Sequence, residues 1–345
     1  MKLVIVFRNT LLSFLLTSFF GVVQATDFTV NQIFDDVDAD PGNGICATAN
    51  GVCTLRAAVM ESNALMGADI INVPAGTYTL DIDGTFENQS TKGDLDILDD
   101  LTIIGADSAT TIINSSYKYR LISVLKRNDL SLPEVSISNL TLTQGIYSTD
   151  GALVFNEGEL ILDNIILTDA NNNNNIPAMV NEGNFTLKNS LVSNNFRGIQ
   201  SNSGTATIIS SEFSNHDSPG IAGGALKLID TTSLVTGSIF TTNKSQFGGA
   251  ISVQGSSSLE LQNCTFNGNI SNNHGGAIYS SGAIVITDSE FMNNIASANG
   301  GAIYSNNNVL MTNIDFSDNS ASRGGAVSLN GSQLATLLYS TFTNN

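Results

Sequence analysis

The motif Gly-Gly-Ala-aliphatic occurs five times, starting at Gly223, Gly248, Gly275, Gly300 and Gly324, in steps of 25, 27, 25 and 24 residues. Self-similarity at such a period means stacked units, and a unit this short cannot bury its own apolar face. A second mark runs in the same phase. Phe213, Phe240, Phe266, Phe291, Phe316 and Phe342 step by 27, 26, 25, 25 and 26, and Leu142, Leu167 and Val192 hold the same column upstream. The repeat therefore begins well before the first double glycine. Between these marks apolar residues alternate with polar ones, as at Leu259 and Leu261 or Ile284 and Ile286. That is strand spacing with one buried face. A leucine-rich repeat needs its own Leu/Asn pattern, and a propeller blade needs about 40 residues. The remaining solution is all-β: a right-handed, single-stranded parallel β-helix of about eleven coils of about 25 residues.

Column logic assigns inside and outside. The Phe column predicts an interior ring stack. Three residues before it runs a polar column, Asn139, Asn164, Asn189, Ser210, Asn263, Asp288 and Asn313. Such residues tolerate left-handed backbone angles and hydrogen-bond along a stack, so a turn ladder is expected. Cys264 shares a column with Ser190, Ser211 and Ser289 and is expected inside as a small buried residue. The double glycines mark a bend needing unusual angles or close approach. After each Gly-Gly-Ala the aliphatic residue points in. The next column, Lys227, Ser252, Tyr279, Tyr304 and Ser328, then points out. Tyr279 and Tyr304 would stack outside as a candidate sugar or partner platform; the alternative is ordinary cross-strand surface packing.

Lys2 and Arg8, the apolar stretch Leu11 to Val23 and the small-residue site Val23-Gln24-Ala25 read as a secretory signal peptide over 1–25. Export makes a small disulfide loop the expected state of Cys46 and Cys53. Thr54 is a candidate cap for a helix from Leu55 to Met66, ended by Gly67. Residues 26–68 are thus an N-terminal cap, and 69–345 the β-helix. The chain stops at Thr343-Asn344-Asn345 inside a repeat, which predicts a solenoid truncated at that end.

Charge restricts the partners. Against 31 Asp+Glu stand 13 Lys+Arg, a formal net charge of -18. Nucleic acid needs clustered cations and is excluded as an expected partner. No apolar run after the signal is long enough for a transmembrane helix. The alternating carboxylates Asp36, Asp38 and Asp40, followed by Gly42 and Gly44, would suit calcium, the only cofactor candidate. Glu61 lies too far along the chain to close such a loop in the usual spacing. No catalytic residue set is assigned. Asp99-Asp100 is the only acidic pair in the solenoid, Arg323 is a candidate only because cations are scarce, and His216 and His274 are expected to be exposed turn residues.

Two stretches resemble known families. Cys53-Thr54-Leu55-Arg56-Ala57-Ala58-Val59, with the acidic loop before it and Val73-Pro74-Ala75-Gly76-Thr77-Tyr78 after it, resembles the CSLREA-type N-terminal domain of exported bacterial β-helix proteins. It departs at Ala57, where Glu is usual. The Gly-Gly-Ala-Ile and Phe-x-x-Asn tetrads, the latter at Phe240–Asn243, Phe266–Asn269, Phe291–Asn294, Phe316–Asn319 and Phe342–Asn345, resemble the repeats of chlamydial polymorphic outer-membrane proteins. These resemblances cover about residues 27–80 and 139–345. They imply a secreted or cell-surface bacterial protein, in the second family one of the outer membrane, that works in adhesion. The expected function is adhesion or surface attachment, with an extracellular glycan or protein as partner. A β-helix polysaccharide lyase or glycoside hydrolase is the first alternative, and a structural surface or matrix component the second.

Overall fold

The computed structural model describes residues 25–84, 87–127, 129–147, 150–170, 175–330 and 335–345. The export signal read at 1–25 lies outside the described residues except for Ala25. Every strand pairing is parallel, and the chain is a β-solenoid. One sheet stacks ten strands, from Leu95–Ile97 to Val327–Leu329. The eleven expected coils are thus about ten on this face, spanning roughly 43 Å at the usual strand spacing. The wall opposite consists of two ladders that merge where single strands, Ala283–Met292 and Val309–Ser317, run through both. A third sheet of five strands, from Asp217–Ala222 to Ser320–Arg323, lines the C-terminal coils.

The bends are chemically distinct. Between the two merged ladders lies the polar column, and Asn139, Asn164, Asn189, Ser210, Asn263, Asp288 and Asn313 all have φ between 46° and 58°. Gly237 (φ 58°) fills the same place. Side-chain rungs join Asn164 to Asn139 (2.9 Å) and Asn313 to Asp288 (2.7 Å). At the double glycine, the first residue is left-handed, with φ of 61–72° in all five copies. The second approaches the next coil: a Cβ on Gly276 would sit 2.0 Å from the Gly301 carbonyl oxygen. Only glycine meets both demands.

Inside, Phe213, Phe240, Phe266, Phe291 and Phe316 stack with ring centroids 4.7–5.3 Å apart. Phe342 continues the stack at 4.8 Å. Beside it runs a buried amide ladder. Each Asn Nδ2 of Asn243, Asn269, Asn294 and Asn319 donates to the next Oδ1 at 2.8–3.0 Å, and also to a Phe carbonyl. Cys264 is buried in the Ser column, and its thiol is pushed up to about 11 by burial.

His216 corrects the reading of an exposed turn. It is fully buried in the amide ladder, where its backbone amide donates to Asn243 Oδ1 and its Nδ1 lies 3.2 Å from the Asn195 carbonyl oxygen. Burial lowers its pKa to about 4, so it stays neutral there.

The cap is fixed by charge as well as by packing. Helix α1 spans Leu55–Ala64, and Thr54 Oγ1 accepts the Ala57 amide at 3.1 Å. It stops two residues short of Met66 because Leu65 is already extended. Cys46 and Cys53 form the expected disulfide. Arg56, wholly buried, makes a two-pronged contact with Asp35 (2.7 and 2.9 Å) and donates to the carbonyls of Ser90, Gly93 and Asp94. Asp35 also accepts the amides of Asp81 and Ile82. Strand Asp27–Thr29 pairs with Asp69–Val73, so the cap is continuous with the sheet.

Candidate binding face

The outer face of the ten-stranded sheet collects the side chains that the core does not use. Strand register aligns Asp96, Ser123, Phe155, Val180, Gln200, Lys227, Ser252, Tyr279, Tyr304 and Ser328 in one column. Its chemistry changes along the rod from carboxyl to cationic to aromatic.

At the N-terminal end, Asp94 Oδ2 accepts Arg120 Nε (3.0 Å) and Ser123 Oγ (2.5 Å). The Arg120 guanidinium lies 4.0 Å from the Tyr147 ring centroid and 5.1 Å from that of Phe155. Asp96 is buried beside them, and Ser90 donates its amide to the Asp96 carboxyl. Burial first, and then Asp94, raise the Asp96 pKa to about 8. The folded chain therefore holds this proton where the unfolded chain has lost it. The stabilisation is full below the ordinary carboxylate pKa near 4 and is lost as pH rises toward 8, on the order of 5 kcal/mol. Asp96→Asn should remove this slope. Melting curves of both proteins from pH 5 to 8 check it: the wild type should fall relative to the variant, and a constant difference would refute the assignment.

At the C-terminal end, Tyr279 and Tyr304 stack as expected, with centroids 5.7 Å apart. The open platform is corrected, however. His274 stacks on Tyr304 at 4.5 Å, and Phe247 tilts against Tyr279 at 5.3 Å. Tyr304 keeps only 8% of its surface exposed. Phe247 and His274 are the last residues of two strands of the five-stranded sheet, and across the double-glycine bend they pack against the tyrosines. The ring faces are thus spent on one another. His274 is half-buried rather than an exposed turn residue and meets Asn299 at 3.1 Å. Arg323 pairs in register with Asn299 and is exposed.

The carboxylates of the acidic loop are engaged in hydrogen bonds within the cap. Among the described residues no three His, Cys, Asp or Glu side chains gather where a metal ion could sit. Asp36 accepts the Val37 amide, Asp38 the amides of Asp40 and Ala47, and Asp40 the Asn43 side chain. Each carboxylate caps its own turn. Glu61, set aside as too distant, does close the loop: its buried carboxylate accepts the amides of Gly42 (2.7 Å) and Gly44. Asp99 and Asp100 both hold Arg127, at 2.6 and 2.5 Å.

The sequence profile of the Chlamydia polymorphic membrane protein (Chlamydia_PMP) repeat matches residues 263–281 and 288–306. No curated protein matches the sequence. Among solved structures, the A-module of the mannuronan C-5 epimerase AlgE4 from Azotobacter vinelandii aligns with a TM-score of 0.41 and 13% identity, over 89% of this chain and 92% of its own. The catalytic unit of a GH87 α-1,3-glucanase from Streptomyces thermodiastaticus aligns with a TM-score of 0.38 and 11% identity, over 90% and 68%. Among the described residues no helix is long and apolar enough to cross a membrane. The chain is a parallel β-solenoid protein that carries repeats of the polymorphic membrane protein type.

Proposed function

We propose that the protein is a binding rod of the bacterial surface, acting in adhesion or surface attachment through its outward columns. One observation carries this reading. In the coils matched by the repeat profile, the recurring residues are consumed by the fold: Phe266 and Phe291 by the ring stack, Asn269 and Asn294 by the amide ladder, Gly275 and Gly300 by the bend. The repeat therefore builds a scaffold, and recognition falls to the variable outer columns. Multivalent contact along a rigid rod suits attachment. Export to the surface is part of the proposal, on the strength of the N-terminal signal pattern. The test is binding of residues 26–345 to bacterial and animal cells and to immobilised matrix glycans. Saturable, competable binding to at least one surface is expected, and its absence from all of them would refute the reading.

A second reading, polysaccharide cleavage, is favoured by the carboxyl pair Asp94 and Asp96 beside Arg120 at the N-terminal end of the ten-stranded sheet. A proton-holding carboxyl next to a salt-bridged one is a pattern of general acid–base sites. Loss of a polysaccharide-degrading activity in Asp94→Asn would support it.

A further inference from the structure

Cations are scarce in this acidic chain, and most are accounted for. Arg56, Lys118, Arg120, Arg127, Lys188 and Lys244 each hold a carboxylate. Lys92, Lys126 and Arg323 lie exposed to water. Arg197 and Lys227 differ from both groups. Arg197 is only 5% exposed, Lys227 is half-buried, and neither meets a carboxylate among the described residues. They sit together on the outer face of the ten-stranded sheet. Gln200 is the register partner of Lys227 on the adjacent coil, and its Oε1 accepts Arg197 Nη2 at 2.6 Å. Arg197 Nη1 reaches the Asn175 carbonyl at 3.4 Å, while its buried Nε has no partner among the described residues.

Two cations withdrawn from water side by side are costly, because each loses hydration and repels the other. The strain is visible in both groups. Burial lowers Arg197 to about 10, and burial followed by Arg197 lowers Lys227. A bound anion would offset both penalties at once, and the unsatisfied Nε supplies a donor for it.

We infer that Arg197, Gln200 and Lys227 form a subsite for a single oxyanion, the carboxylate or sulfate of an acidic sugar within an otherwise neutral glycan. The inference rests on the binding-rod reading and gives it a ligand class. A densely charged polyanion does not fit, because the net charge of -18 repels it along the rod. The column beyond Lys227 is uncharged, with Ser252 on the next coil and Tyr279 roughly 10 Å away. Neutral sugars can lie along it.

The test uses residues 26–345 in calorimetric titrations with 3′-sialyllactose, 3′-sulfolactose, lactose and sodium sulfate, and with polygalacturonate as the polyanion. One or both acidic trisaccharide and sulfated disaccharide probes should bind at least ten-fold more tightly than lactose, and the stronger arm identifies the anion. Lys227→Ala should weaken that binding at least ten-fold and leave the melting temperature unchanged or raised, since it removes an unpaired charge. Equal binding of lactose and the acidic probes would overturn the inference. So would sulfate binding as tightly as sulfolactose, polygalacturonate binding more tightly than either, or a lowered melting temperature in Lys227→Ala, which would mark Lys227 as structural. If the rod binds cells while every acidic probe fails, the subsite falls and the binding-rod reading stands.

Discussion

Arg56→Met should cost on the order of 3–5 kcal/mol of stability, because it removes one half of a buried ion pair and leaves the other uncompensated. Asp35 would keep the amides of Asp81 and Ile82 but lose the guanidinium. Three carbonyls, of Ser90, Gly93 and Asp94, would lose their donor in the same place. These contacts join three separate stretches: the acidic loop, the helix and the turn ahead of the first strand of the ten-stranded sheet. The cap should therefore loosen as a unit and uncover the first coil. Chemical denaturation with hydrogen exchange of the Leu95–Ile97 and Leu101–Gly105 strands checks it. Unchanged stability with unchanged protection of those strands would show that the ion pair does not hold the cap.

Asn294→Ala should be comparably severe, at about 4 kcal/mol or more. The Asn294 carboxamide accepts both the backbone and side-chain donors of Asn269, at 3.0 Å each, and donates to the Phe266 carbonyl and to Asn319. Its removal takes a partner from four buried groups. Asn269 Nδ2 keeps the Phe240 carbonyl and Asn319 Oδ1 keeps the backbone amide of residue 294, while the Asn269 amide and the Phe266 carbonyl lose the bond outright, at about 1–3 kcal/mol each. Asn330→Ala removes a rung of similar length, 3.0 Å to Asn306, but an exposed one, and should cost less than about 1 kcal/mol. Parallel urea titrations of the two variants decide the matter. Equal effects would mean that the interior ladder contributes no more than the surface.

The solenoid was legible because its interior obeys columns, and columns are periodic in sequence. The Phe stack, the left-handed polar turns and the paired glycines could each be read from spacing alone. The same logic also contained His216: Phe213-x-x-His216 matches Phe240-x-x-Asn243, which places the histidine in the amide ladder rather than on a turn. The other departures had no such signal. Arg56 and Asp35 meet across 21 residues through the packing of the cap, and nothing periodic links them. Tyr304 occupies an outward column, but the covering His274 comes from a different sheet and coil, across the double-glycine bend. Glu61 is far from the acidic loop along the chain, whereas the helix returns it to Gly42 and Gly44. Lys227 comes beside Gln200, and through it near Arg197, only by strand register across coils of unequal length.

The proposed function is binding without chemical conversion. Purified residues 26–345 should be incubated with a panel of acidic and neutral polysaccharides, with and without calcium. New reducing ends and the ultraviolet absorbance of unsaturated uronates should be followed alongside binding. Binding to at least one glycan is expected, with no product above the buffer control in any condition. Enzyme-dependent product, abolished in Asp94→Asn, would contradict it and make the carboxyl end of the outer face an active site.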